Sequence, residues 1–182
     1  QFGNVVATLS HRDSTQGHPF PAYLQDVKTA IRFLRANAAE LGIDPERVCL
    51  FGTSSGGNAA LLAALTPNDP RYETAEWNDQ SSAVSCVICC FGPTDMRALT
   101  HGHVEQFAQD PAFSGLLGNL QPEELLKRMS PILEIRPGKV VPPVLLAYGD
   151  ADELVPFYQG EAMYRALIDQ GYNARLIRVI GA

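Results

Sequence analysis

Five apolar runs of strand length, at residues 5–9, 48–51, 83–91, 144–148 and 174–180, alternate along this chain with longer segments of helical periodicity. Turn formers bound each run, which predicts strands, and the run at 48–51 reads as a strand buried on both faces. Between the first two runs, Leu24, Val27, Ile31, Leu34, Ala38 and Leu41 recur at spacings of three and four. That spacing predicts one helix of about five turns, stopped by Gly42. Residues 56–65 predict a second helix, ended by Thr66-Pro67, and 158–170 a third. Strands joined through helices need right-handed crossovers, so the expected fold class is α/β, a doubly wound, mostly parallel sheet with helices on both faces. Chemistry in such a sheet gathers at the carboxyl ends of the strands. Short amphipathic pieces at 103–117 and 122–129 carry no strand signal and predict a helical insertion at about 97–130 inside a single partial domain spanning 1–182.

Composition narrows the function classes. The chain has 182 residues, 46% hydrophobic and 19% charged, which is enough apolar material for a packed core. Fourteen Lys and Arg stand against twenty Asp and Glu without a long run of one sign, which argues against a nucleic-acid or anionic-membrane surface and for a small neutral partner. The longest apolar stretches fall short of the roughly 18 residues that a membrane-spanning helix needs. Three of the four cysteines, Cys86, Cys89 and Cys90, crowd into one apolar run, and Cys49 sits in another. No second pair and no nearby His complete a zinc set, so all four are expected as buried small apolar side chains, which mildly favours a reducing compartment. No metal or organic cofactor is expected.

Gly52-Thr53-Ser54-Ser55-Gly56 matches G-x-S-x-G and lies between an apolar strand and a helix, where that pattern has mechanical meaning. Ser54 would occupy a strained tight turn, with glycine at 52 and 56 letting the neighbouring backbone pass close by. Its hydroxyl would stand at the amino end of a helix, beside the Ser55 backbone N–H, which would serve as one oxyanion donor. A second signal follows the 144–148 run. Asp150 and Asp152 both lie just past a strand end, where a carboxylate could orient a histidine, or where both could simply cap the turn.

Phe20-Pro21 with Asp26, Ile43-Asp44-Pro45-Glu46-Arg47, Gly52-Thr53-Ser54-Ser55-Gly56-Gly57-Asn58, Phe91-Gly92-Pro93-Thr94-Asp95 and Gly149-Asp150-Ala151-Asp152-Glu153-Leu154-Val155-Pro156 together resemble the α/β-hydrolase serine esterases. More narrowly, they are similar to the hormone-sensitive-lipase-like enzymes and the bacterial acetyl and feruloyl xylan esterases. The resemblance implies an α/β-hydrolase core lacking its opening strands, with Ser54 as nucleophile and Asp152 as the acid, Asp150 being a neighbour. It implies hydrolysis of a small-molecule carboxylic ester through an acyl-enzyme. Two parts of the family pattern are missing. The His-Gly-Gly-Gly-type loop would precede residue 5, and the histidine would follow a segment like Arg178-Val179-Ile180-Gly181, where the chain stops at Ala182. His11, His18, His101 and His103 do not follow the acid in the order Ser, Asp, His. The chain, which also opens without Met, is therefore expected to be truncated at both ends and inactive by itself. Residues 99–129, with Phe107, Phe113, Leu116 and Leu117, would wall the acyl pocket or pack as ordinary core. The rival readings are a serine peptidase of the prolyl-oligopeptidase kind and a hydrolase-like binding protein without catalytic function.

Overall fold

A computed structural model of the chain describes residues 3–182. Among them the sheet has four strands, β1 (Cys49–Thr53), β2 (Cys86–Cys90), β3 (Val144–Gly149) and β4 (Ala174–Val179), all parallel and paired in the order β1-β2-β3-β4. Helices α1 (Ala22–Ala36) and α2 (Ala38–Leu41) precede β1, and α3 (Ser55–Leu65) leads from β1 towards β2. Four short helices, α4 (Met96–Leu99), α5 (Val104–Gln109), α6 (Pro111–Leu117) and α7 (Pro122–Arg128), occupy the stretch between β2 and β3, and α8 (Tyr158–Asp169) joins β3 to β4.

Strands laid down in sequence order in one direction, each through a right-handed crossover, place their connecting helices on the same face. The packing agrees. Ala60, Leu61, Ala64 and Leu65 of α3 and Met163 and Leu167 of α8 share one cluster with Val87, Cys89, Leu146 and Tyr148 of the sheet. On the outer side of α3, Leu62 and Ala63 pack with Leu24, Val27 and Ile31 of α1 and with Leu125 and Leu126 of α7. The expected parallel α/β sheet is therefore present, and the helices expected on both faces lie, among the described residues, on one. The other face carries Phe51 at 67% exposure and Ile177 at 48%, so β1, expected to be buried on both faces, is covered on one.

Several local expectations need correction. Residues 5–9 form no strand, because they meet no partner backbone among the described residues and a strand exists only through its ladder. Val5 and Val6 are exposed, and the segment is tied down instead by Arg12, whose guanidinium and backbone N–H donate to Asp26. The five-turn helix breaks at Asn37, whose side-chain amide donates to the Phe33 carbonyl at 2.8 Å and competes with the helical ladder. Gly42, in the left-handed region with φ 64°, ends α2 as expected. The run at 83–91 is a strand only over Cys86–Cys90.

The cysteines also depart from expectation. Cys49 and Cys86 form a disulfide with a Cα–Cα distance of 4.8 Å. They are direct partners in the parallel register of β1 and β2, so both side chains rise from the same sheet face within bonding reach. Cys89 and Cys90 remain thiols, the first buried and the second half-buried. The leaning towards a reducing compartment loses its basis.

The polar stretch between α3 and β2 has a definite role. Lys28 and Arg32 of α1 are both buried and share the single carboxylate of Glu73: Lys28 Nζ lies 2.9 Å from Oε1, and Arg32 Nη1 pairs with Oε2. Lys28 also donates to the Thr66 carbonyl, and the Ser82 hydroxyl bonds Glu73 at 2.6 Å. Burial holds the Lys28 ammonium below its usual pKa, while Glu73 works in the opposite direction. Removing one partner of a buried charge cluster leaves the others desolvated and unpaired. Glu73→Ala is therefore expected to destabilise the protein by roughly 3–5 kcal/mol, read as a lower midpoint in urea unfolding with an unchanged slope.

Candidate active site

Ser54 sits at the junction of β1 and α3 with φ 50° and ψ −124°, a conformation that side-chain-bearing residues rarely adopt. Two backbone bonds hold it there. Its N–H donates to the Cys90 carbonyl at 3.0 Å, and its carbonyl accepts from the Asn58 N–H at 3.1 Å. Phe91, at the neighbouring strand exit, also has positive φ, 42°. Two adjacent carboxyl ends of the sheet therefore each carry a side-chain-bearing residue with positive φ. The Ser54 side chain is exposed, and Ser55, as the first residue of α3, offers an N–H with no partner four residues back in the helix.

Glycine lets the elbow close, though not at both expected positions. A Cβ on Gly52 would stand 2.2 Å from the Gly56 carbonyl oxygen, so any side chain there would prise the turn open. One on Gly56 would meet nothing within 4 Å, which corrects the expectation for that residue. The crowding lies instead at Gly57 and Gly92, whose added Cβ atoms would come within 2.9 and 2.7 Å of the Cys89 sulfur. Cys89 is thus the floor beneath the elbow. Burial pushes its thiol up to about 11, which keeps it neutral, and its sulfur lies 3.6 Å from the Tyr148 hydroxyl, which donates to the Gly92 carbonyl.

Two buried amides hold the surrounding loops. Asn58 Nδ2 donates to the carbonyls of Pro93 and Met129, each at 2.8 Å, and its Oδ1 accepts from the Tyr23 hydroxyl at 3.3 Å. Gln159, in the first turn of α8, accepts through Oε1 from the N–H groups of Thr94 and Asp95 and donates to the Asp95 carbonyl. The loop leaving β2 is thereby locked to both α3 and α8. No periodicity marks either residue. The signals for Asn58 were its polarity within an otherwise apolar helix and its place at the end of the block at 52–58.

The carboxylates separate by what they touch. Asp152 is half-buried, and its Oδ1 accepts from the N–H groups of Leu154 and Val155 at 2.8 and 2.9 Å. Its Oδ2 has no hydrogen bond among the described residues. Asp150 has both oxygens engaged, Oδ1 by the Gly181 N–H at 2.7 Å and Oδ2 by Arg178 Nε at 2.9 Å. Those contacts, the Gly181 amide first, hold its carboxyl below the usual range. Asp95 caps α4 through the N–H groups of Arg97 and Ala98 and pairs with the Arg97 side chain. Among the described residues no histidine bonds Ser54 or Asp152, and His11, His18, His101 and His103 are all exposed. Phe107, Phe113, Leu116 and Leu117 pack against the cluster of Leu24, Leu62 and Leu125. Among the described residues no group of three His, Cys, Asp or Glu side chains is gathered as a metal site needs, and no helix is long and apolar enough to cross a membrane.

An elbow serine at the exit of a parallel strand, with a carboxylate past the exit of another, defines the α/β-hydrolase class. Residues 1–167 match the BD-FAE family, and the chain belongs to it. Esterase LipQ of Mycobacterium tuberculosis is 31% identical over 94% of this chain and 40% of its own length. LipM of the same organism, named as a probable carboxylic ester hydrolase, is 29% identical over 93% of this chain and 38% of its own. Among solved structures, a truncated form of a carbohydrate esterase from gut microbiota superposes with a TM-score of 0.81 at 31% identity, over 96% of this chain and 65% of that one. The chain therefore spans about two fifths of the length of the curated relatives it matches.

Proposed function

We propose that the protein hydrolyses a small carboxylic ester through a serine acyl-enzyme. The observation that carries this reading is the left-handed Ser54 between β1 and α3, its hydroxyl exposed at the amino end of the helix. In the reaction, Ser54 Oγ attacks the ester carbonyl carbon while a histidine takes its proton. The carbonyl oxygen, now negative, is bound by the Ser55 N–H. The tetrahedral centre then collapses, the histidine gives the proton to the departing alkoxide, and water repeats the sequence on the acyl-enzyme to release the acid. Asp152 fits the orienting role because two backbone amides fix one of its oxygens and leave the other for the imidazole. The histidine is proposed to come from the longer protein, beyond Ala182. The relatives named as esterases support the same reaction class.

A fluorophosphonate probe tests the reading. In the natural full-length protein it should attach at Ser54, located by peptide mass mapping, and attachment at Ser55 would overturn the elbow assignment. A purified chain of residues 1–182 should turn over a short-chain nitrophenyl ester negligibly. Turnover lost on His101→Ala or His103→Ala would instead place the base inside this chain.

A further inference from the structure

The two aspartates of the acid loop are engaged in different directions. Asp152 turns inward to its own loop, to Leu154 and Val155. Asp150 turns across to the end of β4 and the segment leaving it, where it holds the Arg178 guanidinium at 2.9 Å and the Gly181 N–H at 2.7 Å. Other contacts run between the same two segments. The Asp150 N–H donates to the Val179 carbonyl at 3.1 Å, and the Ala151 N–H to the Ala182 carbonyl at 2.8 Å. A Cβ on Gly149 would stand 2.1 Å from that Ala182 oxygen, so glycine alone lets the backbones approach so closely. Arg178 also lies over the Phe157 ring, 5.3 Å from its centroid, and so brackets the far end of the acid loop.

We propose that Asp150 is a positioning residue that clasps the turn leaving β4 against the acid loop and thereby fixes the backbone at Ala182 beside Asp152. The proposal rests on the serine-hydrolase reading, in which the base lies just beyond Ala182. A base carried there must meet both Asp152 Oδ2 and Ser54 Oγ, and its place is inherited from the backbone that Asp150 holds. The clasp is poorly suited to a purely stabilising role. The Asp150–Arg178 pair is largely solvent-exposed on its arginine side, and such pairs contribute little to stability. The Gly181 amide is the more telling partner. Gly181 has φ 75°, so the chain turns sharply at the residue Asp150 grips.

The test compares Asp150→Ala and Asp150→Asn with the wild-type full-length protein. A catalytic group displaced by about 1 Å loses on the order of 10²-fold in rate. Asp150→Ala is therefore expected to lower kcat by about 10²-fold with KM within twofold. Asp150→Asn, which keeps an acceptor for Gly181, should recover most of that loss. Amide hydrogen exchange at Gly181 and Ala151 should quicken in Asp150→Ala and stay near wild type in Asp150→Asn. Faster exchange with kcat unchanged would overturn the proposal, as would unchanged exchange, or a kcat loss that Asp150→Asn does not recover. Should Asp150→Ala fail to fold, its role is structural and the proposal falls. A wild-type protein unlabelled by fluorophosphonate at Ser54 would sink the hydrolase reading instead, and the exchange measurement would still report whether the clasp exists.

Discussion

Replacing Ser54 by alanine in the full-length protein is expected to lower kcat for ester hydrolysis by roughly 10⁶, because in serine hydrolases losing the nucleophile costs about as much as losing the whole triad. The structure makes this a clean substitution. The Ser54 hydroxyl is exposed and hydrogen-bonds to nothing among the described residues, while the bonds that hold the elbow belong to its backbone. Alanine keeps those bonds, so the unfolding midpoint should stay within measurement error while activity disappears. Steady-state turnover of a nitrophenyl ester, with urea unfolding as the control, checks both halves. A variant retaining a tenth of wild-type activity would remove Ser54 from the chemistry. Neighbouring Ser55 is equally exposed, but its side chain belongs to the first turn of α3 and its proposed part is played by its backbone, so Ser55→Ala should stay nearly as active as wild type.

The second large effect belongs to Asp152. Asp152→Asn should lower kcat on the order of 10⁴, because an amide stabilises the wrong histidine tautomer and no imidazolium. The asparagine Oδ1 can still accept from Leu154 and Val155, so the loop should keep its shape. Of the acidic residues near the carboxyl edge of the sheet, the three aspartates are ranked by their partners. Asp95 spends its acceptors on the cap of α4 and on Arg97, Asp150 on Gly181 and Arg178, and Asp152 alone keeps an oxygen unbonded among the described residues. Asp95→Asn should consequently leave kcat within a few-fold, and a loss there as deep as at Asp152 would show the acid to be misassigned.

Much of the sheet was legible from hydrophobic runs, because a strand between two neighbours is apolar whatever surrounds it. The runs at 144–148 and 174–180 come within a residue of β3 and β4. Residues 5–9 have the same composition and form no strand, since pairing is a property of two segments and composition describes one. The strained turn at Ser54 was legible for a different reason: such a turn forces glycine nearby, and glycine leaves a mark in sequence. The same strain misled on detail. Crowding falls at Gly57 and Gly92, one in α3 and one after β2, and only the register of β1 on β2 brings them together. The Cys49–Cys86 bond is likewise a matter of register, with 37 residues intervening in sequence. Lys28 and Arg32 are polar residues of the helix that carries the apolar stripe of Leu24, Val27 and Ile31. They are buried because Glu73 comes back over them, and nothing local announces that return.

The floor of the elbow ties the backbone around Ser54 to a residue two strands away. Tyr148, at the end of β3, reaches under β2 to the Gly92 carbonyl and the Cys89 sulfur, and that sulfur with the Gly92 Cα leaves no room for a side chain at Gly57, three residues past Ser54. Gly160 of α8 completes the stack, since a Cβ there would meet the Tyr148 ring at 2.4 Å. Close-packed atoms transmit displacement, because no void is left to absorb it. If the proposed esterase reaction holds, substitution at Tyr148 or Gly160 is therefore expected to reshape the elbow, and with it the rate, without altering any group proposed to touch substrate.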